Sequence, residues 1–116
     1  MLLSQQAYTR IDKELAKYPA DQRQSAIMSA LRIAQVEKGW VSADIIADVA
    51  RYIGVEPIAV QEVATFYNMF NTKPMGRFKI SVCTNLPCAL RDGEKTADYL
   101  NQKLGIELGE TTADGL

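Results

Sequence analysis

The hydrophobic periodicity of this chain changes once, around residues 71–76, and the change divides the sequence into two parts. In the first seventy positions apolar residues recur three and four residues apart, as in amphipathic helices. Pro74 and Gly76 then interrupt the pattern, and residues 77–82 alternate between polar and apolar side chains as a strand does. The sequence therefore predicts a helical region, residues 1–72, followed by an α/β region, residues 73–116.

Residues typical of helix ends mark four helices in the first region. Ser4 and Ser42 have the residue type of an N-cap, and Pro57 suits a first helical turn. Gly39 and Gly54 lie where a helix ends in the left-handed conformation. The expected helices form a small bundle and run from Ser4 to about residue 17, over 22–38, from Ser42 to Gly54, and from Pro57 through Tyr67. Their apolar stripes, the predicted core, are Ala7, Tyr8, Ile11 and Leu15; Ile27, Ala30, Leu31 and Ala34; Ile45, Ile46, Val49, Ala50 and Ile53; and Val60, Val63, Ala64 and Tyr67.

The second region is predicted to begin an α/β domain with a strand, a helix and a strand. The strands are expected at residues 77–82 and 106–108, with a helix over 89–104 between them. Asp114-Gly115 has the signature of a tight hairpin turn, which requires a returning strand. Since only Leu116 follows, we expect an incomplete domain with exposed apolar surface.

Composition removes several classes of function. The chain has no histidine, which excludes Ser-His-Asp and Cys-His catalytic sites and histidine-containing zinc sites within it. A net charge of −1 gives no basic footprint for nucleic acid or an anionic membrane. The first residues have neither the basic start nor the apolar stretch of a signal peptide, and no apolar run approaches ~20 residues. These features predict a cytoplasmic location.

The two cysteines, Cys83 and Cys88, are the candidate functional residues. They lie between a predicted strand and a predicted helix, where unpaired backbone N–H groups favour a thiolate and can donate to cluster sulfides. Their four-residue spacer is too long for a thioredoxin Cys-x-x-Cys pair but suits two thiolates on one iron, as in plant-type ferredoxins. A two-iron cluster needs four thiolates, so the spacing alone leaves idle thiols, a redox pair and metal ligands as alternatives.

The segment around these cysteines resembles the first half of the cluster motif in the thioredoxin-like [2Fe–2S] ferredoxin subunits of bacterial NADH:quinone oxidoreductase, the respiratory complex I. The resemblance extends over residues 7–115. It rests on Cys83-Thr84-Asn85-Leu86-Pro87-Cys88-Ala89-Leu90, on Ser25-Ala26-Ile27-Met28, on Ala34-Gln35 ahead of Gly39-Trp40, on Val63-Ala64-Thr65-Phe66-Tyr67-Asn68-Met69-Phe70, on Pro74-Met75-Gly76, on Leu104-Gly105-Ile106, and on Gly109-Glu110-Thr111-Thr112-Ala113-Asp114-Gly115.

The resemblance implies a helical bundle followed by part of a thioredoxin-like domain that holds one [2Fe–2S] cluster. It implies Cys83 and Cys88 as two of the four ligands, with the other two in a later Cys-x3-Cys loop. Because the sequence stops before such a loop, we expect a chain truncated relative to the family.

The function implied by the resemblance is that of an electron-transfer subunit of NADH:quinone oxidoreductase, without catalytic residues of its own. Its cluster would lie near the flavin of a partner subunit that binds FMN and NADH, in a peripheral arm attached to the inner membrane through the complex. The alternatives are the equivalent subunit of an NAD-linked formate dehydrogenase or hydrogenase, a cluster-free helical interaction module, and a redox protein that cycles a Cys83–Cys88 disulfide.

Overall fold

A computed structural model describes all 116 residues and contains helices but no β-strand. The backbone divides into two compact units, Met1–Pro74 and Met75–Leu116, which are described separately. None of the helices combines the length and apolar character needed to cross a membrane. The elements are α1 Gln5–Leu15, a 3₁₀ segment Ala20–Ala26, α2 Ile27–Lys38, α3 Ala43–Ile53, α4 Pro57–Phe66, α5 Leu86–Ala89 and α6 Gly93–Leu104.

The predicted helix boundaries in the first unit are largely confirmed. Ser4 caps α1 by accepting a hydrogen bond from the Ala7 N–H, and Ser42 caps α3 in the same way from Ile45. Gly39 and Gly54 adopt left-handed φ values of 86° directly after α2 and α3. Side chains other than glycine rarely adopt this conformation, so these glycines end the two helices where the sequence predicts.

The second predicted helix begins later than expected. Residues 20–26 form a 3₁₀ segment, within which Gln22 has the non-helical values φ −119° and ψ 31°. The α-helical conformation starts only at Ile27, the first residue of the predicted apolar stripe. Residues 20–25 are exposed, and Ala26 is the first residue of this segment to enter the core. Core packing therefore does not favour an α-helix over residues 20–25.

The core of the first unit consists of the apolar stripes of its helices. Tyr67, predicted in the fourth stripe, is instead 37% exposed, because it follows the last residue of α4 in an extended conformation and leaves the helix face. The most completely buried side chains are Ile11, Leu31, Val41, Val49, Ile53 and Val60. Asp48 is the buried charged residue, and it accepts a hydrogen bond from the Tyr8 hydroxyl, which in turn accepts from the N–H groups of Leu2 and Leu3. Burial is the main cause that raises the pKa of Tyr8, so the phenol keeps the proton with which it satisfies Asp48.

The last residues of the first unit are held against α2 by one amide side chain. The Gln35 Nε2 donates to the Met69 carbonyl at 2.9 Å, while its Oε1 accepts from the Asn71 N–H at 2.7 Å. The Asn71 carbonyl then accepts from the Val41 N–H at 2.7 Å. These three bonds fix the chain just before the residues at which the second unit begins.

The predicted strand–helix–strand of the second unit is not confirmed, because neither flanking segment is a strand. Residues 77–82 have no strand neighbour, and Phe78 makes a single backbone bond, from its N–H to the Gly115 carbonyl at 3.0 Å. The Ile106 N–H donates back to Asn101 at the end of α6 instead of pairing with another segment. A strand requires a ladder of hydrogen bonds to a neighbouring backbone, and neither segment forms one.

The helix predicted over 89–104 is shorter than expected and has a separate turn before it. The four-residue α5 is followed by Asp92 in a left-handed conformation, φ 65°, and α6 starts at Gly93. Its end is as predicted, since Gly105 adopts φ 70° after Leu104. The interruption arises because an aspartate tolerates the left-handed conformation better than most side chains.

We expect a large difference between two isoleucine-to-alanine substitutions in the first unit. Ile53 is 0% exposed whereas Ile58 is 63% exposed, so only Ile53→Ala leaves a cavity. Ile53→Ala should lower the free energy of unfolding by about 2–5 kcal/mol. Ile58→Ala is the control and should change it by about 0.5 kcal/mol or less. Urea denaturation followed by far-UV circular dichroism measures both, and equal losses would show that Ile53 is not in the core.

Candidate metal centre

The two cysteines lie on either side of a tight turn in the second unit. Cys83 follows the irregular segment 77–82 and is exposed, whereas Cys88 lies in α5 and is half-buried. Asn85 is the N-cap of α5, and its side chain accepts a hydrogen bond from the Leu86 N–H at 2.9 Å. With Pro87 inside the first turn, this cap fixes the course of the chain between the two sulfurs.

The turn brings the two thiol groups close enough to affect each other's ionisation. Hydrogen bonding from the Asn85 main-chain N–H and from the Cys88 thiol favours the thiolate of Cys83. The pKa of Cys83 is therefore lowered, mainly by the Asn85 N–H. The pKa of Cys88 is raised, because its proton is held in the bond to Cys83 and a second negative charge nearby is unfavourable. One sulfur is thus the better anion and the other keeps the shared proton.

The sequence analysis expected backbone N–H groups to favour the thiolate, and a backbone N–H is the main cause here. The place of the donor differs, because the expectation put it at the start of a helix beginning at about residue 89. In the structure a main-chain N–H in the turn itself donates to Cys83, and the long helix starts only at Gly93. Asn85 is therefore a site residue that the sequence analysis did not single out, although an Asn two residues before a proline is a recognisable N-cap signal.

The residues present fit half of a two-iron site. Two thiols held together, with an N–H donor on one sulfur, are the kind of ligand set that an iron takes in such clusters. No group of three or more His, Cys, Asp or Glu side chains comes together as a metal site. The chain supplies two of the four thiolates that a [2Fe–2S] cluster needs.

Two thiols placed this close can bind a soft metal or part of an iron–sulfur cluster, or can form a redox pair. The sequence model of the thioredoxin-like [2Fe-2S] ferredoxin family matches residues 11–116. The chain belongs to this family. Membership in this family supports an iron–sulfur cluster as the cofactor.

Several curated proteins are similar to the chain over most of its length. It is 42% identical over 106 residues to NADH-quinone oxidoreductase subunit 2 of Thermus thermophilus, covering 91% of the chain and 59% of the relative. It is 46% identical over 105 residues to an NADH-quinone oxidoreductase subunit of Rhizobium meliloti, covering 90% and 61%. It is 40% identical over 112 residues to the mitochondrial NADH dehydrogenase [ubiquinone] flavoprotein 2 of Dictyostelium discoideum, covering 96% and 45%. The chain thus spans about three-fifths or less of the length of these relatives.

The shared proton predicts how alkylation of Cys83 depends on pH. Iodoacetamide reacts with the thiolate, so the rate of Cys83 modification should rise at lower pH than for an ordinary thiol. Cys88→Ala removes the S–H donor and should shift this profile to higher pH, whereas Cys88→Ser keeps a hydroxyl donor and should shift it less. Mass spectrometry of peptides containing Cys83 gives the rates. Identical profiles for the native chain and Cys88→Ala would contradict the hydrogen bond.

Proposed function

We propose that the chain is an electron-transfer subunit of NADH:quinone oxidoreductase and that Cys83 and Cys88 bind one iron of its [2Fe–2S] cluster. The observation that carries the proposal is a turn that holds Cys83 and Cys88 together against Gly93, in a chain that belongs to the thioredoxin-like [2Fe–2S] ferredoxin family. Such a cluster accepts and donates single electrons. The role of this chain's residues is to supply thiolates, orient them and donate one N–H to sulfur.

The remaining ligands and the hydride chemistry belong outside these 116 residues in this proposal. Two further thiolates complete the cluster, and a partner subunit binds FMN and NADH. The relatives are named as subunits of NADH-quinone oxidoreductase or as an NADH dehydrogenase flavoprotein, which supports a place in the peripheral arm of that complex. We place the chain on the cytoplasmic side of the inner membrane, held there through the complex.

The two regions have different roles in the proposal. Residues 1–72 form a helical bundle with its own core, and residues 73–116 form part of a thioredoxin-like domain that carries the cysteine turn. The exposed apolar side chains of the second region, among them Phe78, Leu86, Leu90 and Leu108, are consistent with a domain that needs more chain or a partner to cover them. Residues 77–82 could form a strand if that additional chain or partner provided a backbone for them to pair with.

The parent complex can be a formate dehydrogenase or hydrogenase linked to NAD instead. The cysteine turn would bind the cluster in the same way there, because its residues would contact the cluster and not the substrate of the complex. The NADH-quinone oxidoreductase names of the relatives favour the respiratory enzyme.

We expect each cysteine to be needed for the cluster in a chain that also carries the second cysteine pair. Cys83→Ala or Cys88→Ala removes one of two ligands on the same iron and should abolish or severely weaken the visible absorption and the EPR signal of the reduced [2Fe–2S] cluster. Thr84→Ala, in the same turn but without a sulfur, is the matched control and should keep both signals.

The 116-residue chain alone provides the complementary measurement. With two thiolates it should bind no stable, stoichiometric cluster after reconstitution with iron and sulfide. A stable cluster on this chain, or an unchanged spectrum in Cys83→Ala of the longer one, would contradict the ligand assignment.

A second candidate function is a helical interaction module in which the cysteines are idle. One observation favours it: the core of the protein lies in Met1–Pro74, whereas the second unit buries very little. This function predicts that residues 1–74 suffice to bind the flavin- and NADH-binding subunit. Co-purification of that segment with the partner, compared with the complete chain, distinguishes the two functions. Binding that requires residues 75–116 would exclude the module.

A further inference from the structure

Gly93, the first residue of α6, is the only buried residue of the second unit. Its φ lies outside the left-handed region, so no unusual backbone conformation calls for glycine at this position. The requirement comes from packing instead. A residue without a side chain is buried here because other groups approach its Cα closely.

Those groups are the main-chain atoms of the two cysteines. A Cβ at Gly93 would lie 2.7 Å from the Cys83 carbonyl oxygen and 2.9 Å from the Cys88 carbonyl oxygen, with the Cys88 carbonyl carbon at 3.1 Å. Both oxygen distances are well inside van der Waals contact. The obstructing atoms are backbone, so no side-chain rotation can relieve the overlap.

Neither the helix start nor the end of the turn can move away easily. The Cys88 carbonyl accepts the Arg91 N–H at 3.0 Å, which ties it to the end of α5. At the start of α6, the Asp92 carbonyl accepts from both the N–H and the hydroxyl of Thr96, each at 3.0 Å. A side chain at residue 93 would therefore act mainly by forcing the two cysteine peptide groups apart.

We propose that Gly93 is a positioning residue of the cluster site, which keeps the peptide groups of Cys83 and Cys88 against the start of α6 and so keeps their sulfurs close enough for one metal atom. The inference deepens the proposed function and rests on it for its biological meaning. The geometric part of the inference is that the absence of a side chain at residue 93 sets the separation of the two thiols. That part can be tested on this chain without a cluster.

A trivalent arsenical tests the thiol separation without any cluster. Phenylarsine oxide reacts with two neighbouring thiols to form two As–S bonds and releases water, whereas isolated thiols bind it weakly. We expect the native 116-residue chain to capture one equivalent, and Gly93→Ala to capture it about tenfold or more weakly, because overpacking against the backbone disfavours the paired geometry. Total thiol titration should still give two reactive thiols in both proteins.

Gly76→Ala is the matched control. It introduces the same methyl group into the same unit and also meets backbone, with the Gly115 carbonyl oxygen at 2.5 Å, but it does not touch the cysteine turn. We expect its arsenical affinity to stay near that of the native chain. The native chain unfolded in urea gives the arsenical affinity that the four-residue spacer provides without any fold. The arsenical affinity of Gly93→Ala should fall toward that value.

The outcomes separate this inference from the proposed function. Native affinity in Gly93→Ala would overturn the inference, and so would equal losses in both glycine variants, since capture would then follow general packing of the unit. A native chain that captures no better than in urea would also overturn it. Failure of the proposed function would appear elsewhere, as an intact cluster in Cys83→Ala of the longer chain, whatever the arsenical affinities are.

Discussion

Burial of apolar side chains is the constraint on which each part of this protein depends, and the two units satisfy it very differently. In Met1–Pro74 the helices turn their apolar stripes inward and remove residues such as Ile11, Leu31 and Ile53 from water. In Met75–Leu116 a glycine is the only buried residue, and large apolar side chains such as Leu90 remain exposed. The second unit therefore relies on backbone hydrogen bonds and close main-chain packing, which define its cysteine turn but contribute little stability.

The cysteine turn shows how a local feature can define chemistry without a large core. Its shape depends on the Asn85 cap, on Pro87 and on the close approach of Gly93 to the two cysteine carbonyls. These features act within about ten residues of sequence, so they form even where the surrounding surface is open. The consequence is that the same short segment sets the spacing of the two thiols and the pKa of Cys83, which the Asn85 N–H lowers.

The sequence was informative where structure depends on local signals. The caps at Ser4 and Ser42 and the glycine stops at Gly39 and Gly54 were predicted correctly, because each acts on its own helix end. The role of Cys83 and Cys88 as cluster ligands stays a prediction that rests on their spacing and on the surrounding motif. The alternating pattern of 77–82 shows which side chains would share one face of a strand. A strand also needs a neighbouring backbone to pair with, and hydrophobic periodicity gives no information about that neighbour. Gly93 was missed because its role depends on carbonyls up to ten residues earlier.

The proton shared between Cys83 and Cys88 has a consequence for how metal enters such a turn. Metal binding requires both sulfurs as anions, and here the first proton leaves more readily than usual while the second leaves less readily. In the proposed function, metal and hydrogen ions would therefore compete for Cys88 in particular. Acidic conditions would favour the apo form through that one thiol, and occupancy would release acid into the medium as the metal displaces the retained proton.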